Sequence, residues 1–361
     1  MVASTLMSMF AACEMRLMKV SCHPHRFCRL PSAGFRGLLF FVCWWLCGTL
    51  APADEVVTVS AEGKESVRSG TIRDLRGAEL TLLIDGRETT IPMSRVKQVD
   101  ADWLPRHTKA DEEYAAGEFE AALADYREAF QQEKRAWVKR RLLSRVVLCY
   151  RNLGRYGEAC RVFAILIQED PDSTYFHTIP LQWQTKTCPA DVRGVVEGWL
   201  AADSAPSLRL LAASWLLVDR PQLAIGIVRE LARDDSGEIS HLAVVQLLRS
   251  ELLSLQESRL TFWVERVGDM PRSIRPGGYY LLGQAHARFR RIDDAVLAFL
   301  RVPILYAEQV DLAQRSLNEA AGLLVTNRPS EAMQLYRDCI RLGARTEAGL
   351  KASGQLAEMS R

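Results

Sequence analysis

The chain has 361 residues, 48% of them hydrophobic and 25% charged, which excludes a disordered or low-complexity protein and exceeds the usual single core of about 100 to 200 residues. The net charge of +2 shifts to about −2 when the first 53 residues are set aside, since they hold five basic side chains and one acidic. A near-neutral remainder carries no global field toward nucleic acid or an anionic membrane, so an electrostatic partner would have to be read by a local patch.

Residues 1–53 have the layout of a signal peptide. Arg26, Arg29 and Arg36 precede an uncharged apolar run from Gly37 to Ala51, and Ala51-Pro52-Ala53 supplies small residues for a cleavage site before Asp54. The run of about 15 residues is shorter than the roughly 20 that a spanning helix needs. Export to the periplasm or outside the cell is the expectation, with an uncleaved inner-membrane anchor as the alternative and membrane contact only in that case. Cys22, His23, His25 and Cys28 look like a metal cluster but fall in this leader. Once it is removed, four scattered cysteines remain, Cys149, Cys160, Cys188 and Cys339, too few for a disulfide framework. Cys149 and Cys160 could pair or pack separately.

Residues 54–102 alternate with period two and are punctuated by turns. Val57 to Val59, Ser69 to Asp74, Glu79 to Ile84, Glu88 to Ile91 and Val96 to Val99 are expected strands, and Asp85-Gly86 marks a two-residue hairpin. The rhythm resembles a small SH3-like or Sm-like β module. So small a unit is marginal alone, which implies that it packs on the helical part of the chain.

From residue 106 the pattern changes to helix pairs that repeat. Gly117, Phe119, Ala122, Tyr126 and Ala129 recur 37 residues later as Gly154, Tyr156, Ala159, Phe163 and Leu166, with Pro171 closing that copy. Later copies carry Tyr279, Leu282, Gly283, Ala295 and Phe299, then Ala320, Ala332 and Tyr336, and Ala295 to Ala332 is again 37 residues. Between them, Ala212, Trp215, Ala224, Val228 and Leu231 fit one unit, and Leu260, Val264 and Val267 fit the second helix of another. Near Cys188 to Ala202 there is one convincing helix, because Pro180 interrupts the segment before it. Small residues where paired helices approach, with a large residue beside them, must recur because a lone pair cannot bury its apolar stripe.

These marks resemble the tetratricopeptide repeat family, in an exported bacterial form, over 106–342. The resemblance implies a mainly α fold, an α-solenoid of about six or seven helix pairs behind a small all-β module, with 343–361 as a capping helix or tail. It assigns packing roles to Gly117, Ala122, Tyr126, Tyr150, Gly154, Ala159, Phe163, Pro171, Ala224, Gly283, Ala295, Phe299, Ala332 and Tyr336. It also places Arg141, Ser144, Arg145, Arg151 and Asn152 on the concave groove, where arginine suits carboxylate recognition. Lys139 and Arg140 stand beside them; the alternative is a solvated basic face that Glu158 or Glu169 and solvent neutralise.

No catalytic constellation emerges. There is no glycine-rich phosphate loop and no nucleophile elbow, the mature chain's four histidines lack a ligand spacing, and acidic pairs such as Asp293-Asp294 fall at helix starts. Gly277-Gly278 opens a helix without the lysine of a phosphate cradle. The expectation is a non-catalytic protein without metal, cofactor, nucleic-acid partner or small-molecule substrate. Two functions stay open: a scaffold whose groove grips a protein or peptide, an acidic one matching the arginines, or a structural or accessory subunit of an envelope complex whose convex and terminal surfaces assemble while the groove is idle.

Overall fold

Strands β1 (Asp54–Val59), β2 (Glu65–Arg76), β3 (Glu79–Ile84), β4 (Arg87–Pro92) and β5 (Val96–Asp100) form one antiparallel sheet in the order β4-β3-β2-β1-β5. The computed structural model describes residues 54–60, 62–233 and 237–360; the leader, its cleavage site and the cluster at Cys22 to Cys28 lie outside them. Asp85 and Gly86 both take positive φ, 49° and 77°, as the tight β3–β4 hairpin requires. The long β2 pairs with β1 through Glu65–Gly70 and with β3 from Thr71 onward, with a register shift between Ile72 and Asp74. Its first half escaped the period-two reading because Glu65 to Ser69 are all exposed, so no apolar alternation marks them. No ladder joins β4 to β5 among the described residues.

The inward side chains of the sheet, Val56, Ile72, Leu75, Leu80, Leu82 and Ile91, lie in one core with Ala110, Ala122, Tyr126, Trp137 and Leu142 of the first helices. Arg140 ties the module down, donating to the Asp74 carboxylate and, at 2.7 Å, to the Leu75 carbonyl. The Gly77 amide donates to both Asp170 carboxylate oxygens at 3.1 and 3.0 Å.

Beyond the sheet, the described residues form fourteen α-helices. Hairpins are made by α1 (Pro105–Ala115) with α2 (Phe119–Gln132), α3 (Ala136–Asn152) with α4 (Tyr156–Glu169), and α6 (Pro206–Leu216) with α7 (Pro221–Leu231). Two more are made by α10 (Pro276–Arg288) with α11 (Ile292–Leu305) and α12 (Val310–Leu324) with α13 (Pro329–Leu342). Helix α5 (Ala190–Val196) stands without a partner helix in its slot, α8 (Glu238–Glu251) and α9 (Leu260–Asp269) run between α7 and α10, and α14 (Glu347–Met359) ends the chain. Pro105, Pro206, Pro221, Pro276 and Pro329 open their helices at the first turn, where the missing N–H costs nothing. Helix α14 is capped by Thr346, whose hydroxyl accepts from the Gly349 amide at 3.0 Å.

The repeating small residues sit at the hairpin contacts: Ala122, Ala159, Ala224, Ala295 and Ala332 are fully buried, as are the large Tyr126, Phe163, Phe299 and Tyr336 beside them. Gly117 and Gly154 turn the first two hairpins at φ 76° and 72°. Tyr150 is half-buried, and exposed Pro171 stops α4 just beyond its C-cap, Asp170. In α9 the sequence register needs correction. Val264 is 41% exposed, and Trp263 is the buried residue, because the inward stripe runs Leu260, Trp263, Val267.

A solenoid ordinarily has two free ends, but here they meet. Helix α12 packs on α3. A Cβ on Gly117 would lie 3.1 Å from the Leu342 carbonyl oxygen, and one on Gly343 would lie 2.9 Å from the Phe119 ring. Arg345 donates to Glu118 at 2.9 Å across the same seam.

Candidate functional site

The three arginines expected on the groove are placed on α3 and split between two environments. Arg141 and Arg145, one turn apart, share Asp111 of α1 at 3.4 and 3.6 Å. The Arg141 guanidinium lies 4.7 Å over the Trp103 ring, and that of Arg145 lies 5.7 Å over Tyr114. Arg151 is 3% exposed and pairs with Asp311 of α12 at 2.9 Å, while also donating to Gln309 at 2.8 Å and to the Thr178 carbonyl at 3.1 Å. Asp111 and Asp311 therefore neutralise the cluster, in place of Glu158 and Glu169. Ser144 donates back to the Arg141 carbonyl at 2.6 Å, and the Asn152 amide donates to the Tyr114 hydroxyl at 3.0 Å. Lys139 sits 5.3 Å from the Phe130 ring. Ser144, Arg151 and Asn152 thus spend polar groups on the chain itself, while Arg141 and Arg145 rest on Asp111 and an aromatic ring, with the Arg141 Nε unpartnered.

The segment His177 to Gln184, the stretch around Pro180 that could not form a helix, fills the concave face. It leaves a short 3-10 turn at Phe176–Thr178 and runs without regular structure from Ile179 between the inner helices, and Thr178, Ile179, Leu181, Gln182 and Trp183 are all buried. A buried segment of this kind cannot satisfy its own backbone, so side chains from four directions do it. The His177 carbonyl accepts from Gln309 at 3.1 Å and the Pro180 carbonyl from the Trp215 indole at 2.8 Å. The Gln182 carbonyl accepts from Gln246 at 3.3 Å and from Arg249, and the Gln182 amide donates to Ser214 at 3.3 Å. Arg249 also donates to the Ser214 carbonyl at 2.8 Å. The Trp183 ring lies so close to the α10 backbone that a Cβ on Gly277 would be 2.1 Å from it, and Gly278 leaves room for Val267 in the same way. The glycine pair is thus a packing device.

Sequence reasoning missed this internal strap and its anchors, Ser214, Gln246, Arg249 and Gln309. The signal available was polar: Gln246 and Arg249 lie on α8 among inward apolar positions, and both are buried. The cysteines at 149, 160, 188 and 339 are free and buried, and burial pushes every one of their thiols up, that of Cys188 to about 11. None of them is activated as a nucleophile.

No family model matches the chain, and no curated protein matches it. Among solved structures, the TPR2AB-domain:pHSP90-complex of yeast Sti1 is similar over 71% of this chain and 97% of that chain, at 10% identity and a TM-score of 0.22. That degree of likeness says nothing about a partner here.

Proposed function

We propose that this protein is an exported, non-catalytic interaction scaffold acting as an accessory or structural subunit, which meets an acidic partner protein with its outer helices and not with its concave face. The observation that carries this reading is the strap: the lane in which a solenoid would hold an extended peptide already contains one, buried and hydrogen-bonded at both backbone and side chain. The outer surface offers a better platform. Phe262 and Val264 of α9 are 40% and 41% exposed and Leu297 of α11 is 54% exposed. Between these helices is a slot of about 210 Å³ lined by Val264, Leu282, Leu297 and Arg301. Arg259 and Arg266 flank the Phe262 ring at 5.7 and 5.2 Å, and Arg301 lies 5.1 Å from Tyr279 with no carboxylate paired to it among the described residues. Asp294, paired with Arg291, also lines the slot and Arg259 pairs with Glu251, so among the described residues the unpaired cations beside these apolar side chains are Arg266 and Arg301, which suit a partner with apolar residues among carboxylates.

Affinity-tagged protein purified from its native source should retain one stoichiometric partner. A Phe262→Asp, Leu297→Asp double variant should lose that partner while keeping its helical circular dichroism, and Gln184→Ala at the concave face should keep it. The opposite pattern would return the function to the groove. N-terminal sequencing of the same material should read from Asp54; retention of Phe35 to Trp45 would make the protein membrane-anchored.

A further inference from the structure

Where the solenoid closes on itself, α12, α14 and the α3–α4 turn enclose a polar cavity of about 130 Å³. Its charged lining is unusual. Arg151 and Asp311 pair with each other, but Arg315, on the next turn of α12, has only the Tyr156 hydroxyl as hydrogen-bond partner, and no carboxylate lies within ion-pair distance among the described residues. Lys186 and Lys351 are likewise unpaired at the exposed rim, against unpaired Glu319 and Glu347. Setting the Arg151–Asp311 pair aside, three cations face two anions. A half-buried guanidinium with free donors beside an excess positive charge is a site for an anion with planar oxygens.

We propose that this cavity binds a small organic carboxylate, held by Arg315 and steered by Lys186 and Lys351. An extended peptide does not fit, because the strap closes one side through Gln184 and α14 closes the other through Thr346 and Ala348. A cavity of about 130 Å³ is on the scale of a small carboxylic acid and not of a chain. Glu319 opposes Arg315 across one turn and favours a ligand that also carries a donor, such as an amino group. The site is separate from the outer docking face and stands or falls independently of it.

Calorimetric titration of the full chain with sodium succinate and with sodium L-glutamate, each to about 10 mM over matched sodium chloride, tests the proposal. Saturable binding of at least one is expected, weakened about tenfold or more by Arg315→Gln, which removes the charge-assisted hydrogen bonds. Lys351→Glu alters an exposed, unpaired side chain, so it folds normally, and it should weaken the same binding several-fold. If Arg315→Gln does not fold, Lys351→Glu decides. Absence of binding by both acids, or binding unchanged in the folded variants, overturns the assignment.

Discussion

At the residue scale, two glycines separate packing from propensity. Gly283 of α10 lies against Phe299 of α11, where a Cβ would be 2.5 Å from the ring. Gly226, inside α7, has nothing within 4 Å of a built Cβ. Gly283→Ala should cost about 1 to 3 kcal/mol through overpacking, whereas Gly226→Ala should add roughly 0.5 to 1 kcal/mol by restricting the unfolded chain. Urea denaturation midpoints that move the same way would mean the α10–α11 contact is misplaced. His107 is a second such probe. It is 1% exposed, packed against Trp103 and Tyr126, with Asp111 3.7 Å from Nε2 and Arg141 and Arg145 behind that carboxylate. Burial holds its pKa down at about 4, against the attraction of Asp111. The unfolded chain takes up this proton near the ordinary value of about 6.5 and the folded chain does not, so stability present above that pH is lost as pH falls toward 4. The slope from this group is at most about 1.4 kcal/mol per pH unit. His177 and His286 are also lowered by burial and act in the same direction, whereas Asp125, held down by Lys109, acts below the usual carboxylate range. His107→Phe should flatten the profile between pH 6.5 and 4; an unchanged slope would remove His107 as its source.

At the element scale, the strap decides whether the inner face is a binding lane or a core. Trp183 is 7% exposed, and the residues just before it, Pro180 and Gln182, are held by Trp215 and by Ser214, Gln246 and Arg249. Trp183→Ala should therefore cost about 3 to 5 kcal/mol, as for a large core side chain, while Val67→Ala on the 60% exposed face of β2 should cost less than about 0.5. A loss under about 1 kcal/mol at Trp183, measured by chemical denaturation, would show a strap free to leave. The helices themselves were legible from the 37-residue recurrence of small and large residues, and the hairpin from Asp85-Gly86, because these are local or periodic requirements. The exposed half of β2 and the inward register of α9 were not, since the first has no buried face and the second turns on one position in a helix of only three turns.

At the scale of the whole molecule, the closure joins residues 160 positions apart through Arg151 and Asp311, which are 3% and 10% exposed at the side chain. Asp311→Asn would leave Arg151 buried without its counter-charge and should cost about 3 to 5 kcal/mol, with little dependence on salt. Arg345→Ala, which breaks the exposed pair with Glu118 at the same seam, should cost no more than about 1 kcal/mol, and high salt should erase the effect. Equal losses in the two variants, measured by denaturation at low and high salt, would argue that the ends of the solenoid are not locked together.

The sequence by itself determined the β module, the helix pairs, their turns and the small-residue contacts, because each arises from a period, a turn residue or a volume that recurs along the chain. The candidate groove residues were also legible as a face of α3, since helical spacing brings Arg141 and Arg145 together. Only the tertiary structure decided what that face meets. The strap at His177 to Gln184 and the Arg151–Asp311 closure have no period, use polar side chains common on any surface, and join parts of the chain that sequence spacing cannot relate. Whether a concave surface is open or filled is a property of the closed shape, and no segment of the sequence carries it alone.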